Sequence, residues 1–97
     1  MPKAYWVVQY KSIKNPEKLA AYAKIAGPAI QAAGGKFLVR SPSPAKFYEL
    51  GMNQRTVVTE FESVAKAIAA HDSPGYQEAL RALGNGAERD IRIMEGL

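Results

Sequence analysis

A chain of 97 residues without cysteine has the length of one domain, expected over residues 1–97, and it has neither disulfides nor thiolate metal sites to reinforce a small core. With 47% hydrophobic and 23% charged residues, the composition excludes an intrinsically disordered chain. The net charge of +4 is uneven, eight Lys/Arg against two Asp/Glu in residues 1–50 and five against seven in residues 51–97. These cations are scattered singly, so no nucleic-acid partner is expected. No apolar run reaches the roughly 20 residues that span a bilayer, and the opening Met-Pro-Lys-Ala-Tyr-Trp lacks the pattern of a signal peptide. A cytoplasmic location and no membrane partner are the expectation.

The first strand is expected over Ala4 to Lys11, rich in aromatic and β-branched residues. Trp6, Val8 and Tyr10 share one face, and Tyr5, Val7 and Gln9 the other. A helix follows. Asn15 caps it, Pro16 suits its first position and Glu17 complements its dipole. Leu19, Tyr22, Ala23, Ala26, Ala29, Ile30 and Ala33 form its apolar stripe. Gly27-Pro28 interrupts the pattern in phase, which predicts a kink and not a break, and Gly34-Gly35 ends the helix.

Lys36 to Arg40 reads as the second strand, with Phe37 and Val39 opposed to Lys36, Leu38 and Arg40. Ser41-Pro42-Ser43-Pro44 is a loop, and Lys46 to Leu50 is read as a short edge piece of the sheet. Gln54 to Phe61 is the third long strand. Ser63 caps a helix through about His71, with Val64, Ala67, Ile68 and His71 itself as its inward face. Ser73-Pro74 begins another, with Tyr76, Ala79, Leu80 and Leu83 along one side, closed by Gly84-Asn85-Gly86. Glu88 to Glu95 is the last strand.

This βαββαβ order defines an α+β, ferredoxin-like arrangement of four antiparallel strands with the helices on one face. A sheet covered once is polar along its open face. Here the first strand is apolar on both faces, and Leu38, Val58 and Met94 add apolar groups opposite others. A second copy of the chain is the economical cover. The expected partner is therefore a homodimer mate, packed face to face as a dimeric α/β barrel.

Neither a P-loop nor a dinucleotide fingerprint is present, and a lone histidine without cysteine excludes a multi-histidine or thiolate metal site. No cofactor and no metal are expected, and no residue is assigned as catalytic. Candidate ligand-binding residues are Gln9, Arg40, Glu60, His71 and Arg92. Charges within strands need solvent, a partner or a ligand, and strand pairing in the usual register puts Arg40 and Glu60 on one side with Gln9 and Arg92. The competing reading is a simple ion pair at the sheet edge. His71 is a potential general base, although a place at a helix C-terminus is the favoured reading of it. Tyr22, Tyr48 and Tyr76 read as core residues more readily than as donors to a cleft.

An RNA-recognition domain shares this element order, but it needs stacking aromatics on its first and third strands, and the third strand offers only Phe61. The expected function is binding or transformation of a small organic molecule in a barrel pocket. The alternative is a non-enzymatic scaffold dimer, with single-stranded nucleic-acid binding a distant third.

Several segments together resemble a known family. They are Tyr5-Trp6-Val7-Val8, Asn15-Pro16-Glu17, Tyr22, Ala33 to Arg40, Val57 to Ser63 and Ser73-Pro74-Gly75-Tyr76-Gln77. The chain is similar over nearly its whole length to the bacterial domain of unknown function 1330 family, within the dimeric α/β barrel superfamily. The resemblance implies the ferredoxin-like fold and a barrel dimer, and it brings no agreed activity. The chain departs from the family pattern at Ala70-His71, where two aromatics are frequent; a wider, more polar pocket would follow. Relatives by fold include cofactor-independent oxygenases, haem-degrading enzymes and isomerases.

Overall fold

The elements run β1 (Ala4–Ile13), α1 (Pro16–Ala32), β2 (Lys36–Ser41), β3 (Thr56–Phe61), α2 (Val64–Asp72), α3 (Pro74–Leu83) and β4 (Ala87–Glu95), in a computed structural model that describes residues 2–97. The four strands form one antiparallel sheet in the order β2-β3-β1-β4. The expected ferredoxin-like βαββαβ order is thus present, its second helix divided at Ser73 into α2 and α3.

Local chemistry explains most boundaries. The Asn15 side chain accepts hydrogen bonds from the Glu17 and Lys18 amides, both at 3.1 Å, which satisfies two of the orphan donors at the start of α1. α1 runs without interruption through Pro28, so the missing proline N–H does not break it. Gly34 ends this stretch at φ 95°, in the left-handed region that favours glycine. Gly35 is needed for another reason: a Cβ there would lie 2.5 Å from Ile30 Cγ2 and 2.9 Å from Phe61 Cζ. The Ser63 side chain caps α2 through the Lys66 amide, and that of Ser73 caps α3 through the Tyr76 amide.

One face of β1 carries the core. Ala4, Trp6, Val8 and Tyr10 are all buried beneath the helices. The Trp6 ring stacks on Phe61 at 6.1 Å between centroids and meets Tyr76 edge-on at 4.9 Å. Such pairs add about 0.5–1.5 kcal/mol each beyond the area they bury. Ala67 and Ala70 of α2, with Tyr76, Ala79 and Leu83 of α3, close the core from above.

Two expectations are corrected here. Lys46 to Leu50 forms no strand; it lies in the long segment between β2 and β3, entered through Pro42 and Pro44, whose missing N–H groups end the β2 ladder at Ser41. Ile68 is exposed, because Ala67 and Ala70 supply the inward face of α2 instead.

Candidate functional site

A cavity of about 90 Å³ lies between α1 and the β1–β3–β2 part of the sheet. Its origin is sequence-level. α1 faces the sheet there with Ala23, Ala26 and Gly27, side chains too small to fill the gap, while Leu19 and Ile30 close it farther along. The sheet supplies Trp6, Val8, Tyr10, Phe37 and Val57 as walls. The result is a small chamber with aromatic sides.

Polar groups are few and specifically placed. Thr59 is buried on β3 at the wall. Tyr22 Oη lies 2.8 Å from Tyr76 Oη and accepts a hydrogen bond from Arg89 Nη1 at 3.0 Å. Burial pushes the Tyr22 hydroxyl well above the ordinary tyrosine pKa; Tyr76 adds to this and the Arg89 charge works against it. Burial likewise raises Tyr10. Burial alone would weaken the Arg89 charge, but the phenol oxygens around it, Tyr22 foremost, more than compensate and hold its pKa above the usual range. Arg89 therefore stays cationic inside the fold, its guanidinium 4.8 Å from the centre of the Tyr22 ring and 5.6 Å from that of Tyr10.

Two further cations line the cavity. Arg55 precedes β3 with its guanidinium 5.9 Å from the Tyr10 ring centre, and Arg40 lies over the Phe37 ring at 4.5 Å. Two buried donors, Arg55 Nε and Trp6 Nε1, have no hydrogen-bond partner among the described residues. An unmet buried donor costs about 1–3 kcal/mol, so each would be stabilised by donating to an acceptor brought within reach. Neither an Asp nor a Glu lines the chamber.

The five residues singled out from the sequence do not converge. Gln9, Glu60 and Arg92 lie on the open face of the sheet, opposite the helices: Glu60 is registered with Tyr5, Arg92 with Val7, and Gln9 with Thr56 and Asp90. Arg40 lies on the helix face. The cause is a β-bulge, because β2 advances from Phe37 opposite Thr59 to Val39 opposite Val58. The extra residue turns Arg40 over to join Phe37. Arg40 and Glu60 are consequently separated by the sheet, and Glu60 pairs with Lys3 at 3.1 Å. Arg92 is bound to Asp90, whose carboxyl it holds below its usual pKa. His71 sits outside the cavity, its ring packed on Trp6 and Tyr76 and its Nδ1 3.0 Å from Asp72 Oδ1.

Tyr48 is exposed, whereas Tyr22 and Tyr76 are buried as expected of core residues. Sequence reasoning missed Arg55, Trp6 and Tyr10 as pocket residues, and Arg89 as the cation packed against the lining tyrosines. The available signal was the small-residue run on α1 facing an aromatic strand. On the open face, Val7, Gln9, Asp90, Arg92 and Met94 line a second, more open recess of about 210 Å³, which brings Gln9 and Arg92 together. Among the described residues no three His, Asp or Glu side chains converge to hold a metal, and no helix is long and apolar enough to cross a membrane.

These features define a ferredoxin-like α+β fold with helices on one sheet face and a side-chain-lined chamber beneath the first of them. The chain belongs to the family described as domain of unknown function (DUF1330), which it matches over residues 3–97. In structure it is similar to a protein of unknown function from Rhodopseudomonas palustris, with a TM-score of 0.79 at 17% identity over 99% of this chain and 83% of that one. It is also similar to SnoaB, a cofactor-independent oxygenase from Streptomyces nogalater, with a TM-score of 0.68 at 11% identity over 97% and 92% of the two chains. A nipsnap family protein of unknown function from Agrobacterium tumefaciens gives 0.57 at 18% identity over 97% and 87%. At these identities the likeness is one of fold. No curated protein matches the chain.

Proposed function

We propose that the protein is a homodimer that binds a small organic molecule in the chamber between α1 and the sheet, one site per subunit. The carrying observation is the chamber itself, aromatic on its sides and lined by Arg55 and Trp6, whose buried Nε and Nε1 lack partners. Largely apolar concavities with a few convergent polar groups are the usual form of ligand sites. A cofactor-independent oxygenase shares this fold, but function resides in sites and not in folds, so the reading is one of binding.

Dimerisation is supported by the open sheet face, where Met94 and Val39 are exposed and Tyr5, Val7 and Val58 are half-buried with no helix above them. Phe47, Tyr48, Leu50 and Met52 are also exposed in the segment before β3. Contiguous exposed apolar surface of this kind marks an interaction site, and a second copy of the chain covers it isologously.

Ligand-observed NMR of a fragment library, run on the wild type and on Ala26→Leu, tests the site. The variant puts an isobutyl group where a methyl lines the chamber. Fragments that bind the wild type and are lost from a folded Ala26→Leu support the reading. Fragments that bind both equally place the site elsewhere.

A further inference from the structure

We infer that the chamber selects organic anions: its ligand is a small planar molecule carrying a carboxylate or enolate, the charge held by Arg40 and Arg55 and the apolar part inside. This rests on the chamber being a ligand site and adds the chemistry of what enters it.

The distribution of charge carries the inference. The ion pairs found among the described residues are Lys3–Glu60, Lys14–Glu88, Lys66–Glu62, His71–Asp72 and Arg92–Asp90. Each lies outside the chamber. The guanidiniums of Arg40, Arg55 and Arg89 take part in none of these pairs, yet all three lie against rings that wall the chamber. Arg40 is exposed and Arg55 half-buried, so what is costly is not their charge but a buried donor left without an acceptor. Arg89 is compensated by the Tyr22 oxygen and by two ring faces. Arg55 has one ring face, that of Tyr10, but its buried Nε has no acceptor. The missing partner is therefore an acceptor, and beside unpaired guanidiniums the best acceptor is an anion. A guanidinium presents a planar fork matched to a carboxylate.

Size and position set the ligand's orientation. A dry cavity of about 150 Å³ accommodates benzene, and this one measures about 90 Å³, so a ring enters only in part. Arg40 is exposed while Trp6 is fully buried, which puts the charge at the mouth and the apolar end against Trp6. Flat walls from Trp6, Tyr10 and Phe37 favour a flat occupant.

The test uses benzoate and its neutral isostere benzamide, titrated into the intact protein by calorimetry or NMR. Benzoate is expected to bind the wild type about ten- to a hundredfold more tightly, the range for a charge-assisted bond. Arg55→Gln and Arg40→Gln should each bring the benzoate-to-benzamide affinity ratio most of the way to unity, with native circular dichroism showing that the variants fold. Equal affinity for the two probes in the wild type overturns the anion inference and leaves the chamber as a ligand site. Binding of neither probe at millimolar concentration overturns both.

Discussion

Replacing Tyr22 by Phe removes one oxygen from the middle of a buried chain and leaves the ring in place. That oxygen lies 2.8 Å from Tyr76 Oη and accepts from Arg89 Nη1 at 3.0 Å. A neutral hydrogen bond contributes about 0.5–1.5 kcal/mol net and one to a charged group about 1.5–3 kcal/mol, so the sum is about 2–4.5 kcal/mol. Arg89 keeps its position over the Tyr10 and Tyr22 rings without the oxygen, which places the expected loss near the lower end, about 2 kcal/mol. Tyr76→Phe removes only the neutral bond and should cost about 1 kcal/mol. Because that bond is lost once, the double variant should be no less stable than Tyr22→Phe alone. Urea unfolding at pH 7 and fixed protein concentration measures all three against the wild type. A Tyr22→Phe loss under about 0.5 kcal/mol, or additive losses in the double variant, would refute the coupled network.

Three other outcomes are expected. Burial raises the Tyr22 and Tyr10 hydroxyls in the folded protein above their ordinary value of 10.0; the unfolded chain then releases these protons first, so their stability contribution is complete below pH 10 and drains as pH rises toward the folded values. Unfolding free energy should fall by about 1.4 kcal/mol per pH unit per tyrosine in that window, and Tyr22→Phe should make the slope shallower, an unchanged slope being the contrary result. Gly35→Ala should destabilise by about 1–3 kcal/mol through overpacking, since its Cβ would meet Ile30 and Phe61; thermal unfolding at the wild-type midpoint would contradict this. Val58→Asp, at the middle of the open face, should convert a dimer to a monomer in sedimentation equilibrium while circular dichroism stays native, and an unaltered dimer would place the interface elsewhere.

Most of the fold was legible because local signals agreed with one another. Asn15-Pro16-Glu17, Ser63 and Ser73-Pro74 start helices where the structure starts them, and the alternation in β1 put Trp6, Val8 and Tyr10 on the buried face. The site was less legible, for one physical reason. A strand's faces follow from sequence only while its period of two is unbroken, and the bulge in β2 breaks it at Leu38. Arg40 was therefore assigned to the face of Glu60, and the candidate site moved with it. Arg89 and Arg55 were invisible for a different reason: an arginine in or beside a strand gives no sign in sequence of whether a carboxylate awaits it.

The central claim is that a ligand site lies between α1 and the sheet. Backbone and indole N–H chemical shifts, followed as benzoate is added to isotopically labelled protein, test this most directly. The largest changes are expected at the Trp6 Nε1–H, Gly27, Arg55 and Val57, which line the chamber. Changes confined to Val7, Gln9 and Arg92 on the open face, or none at all, would contradict it.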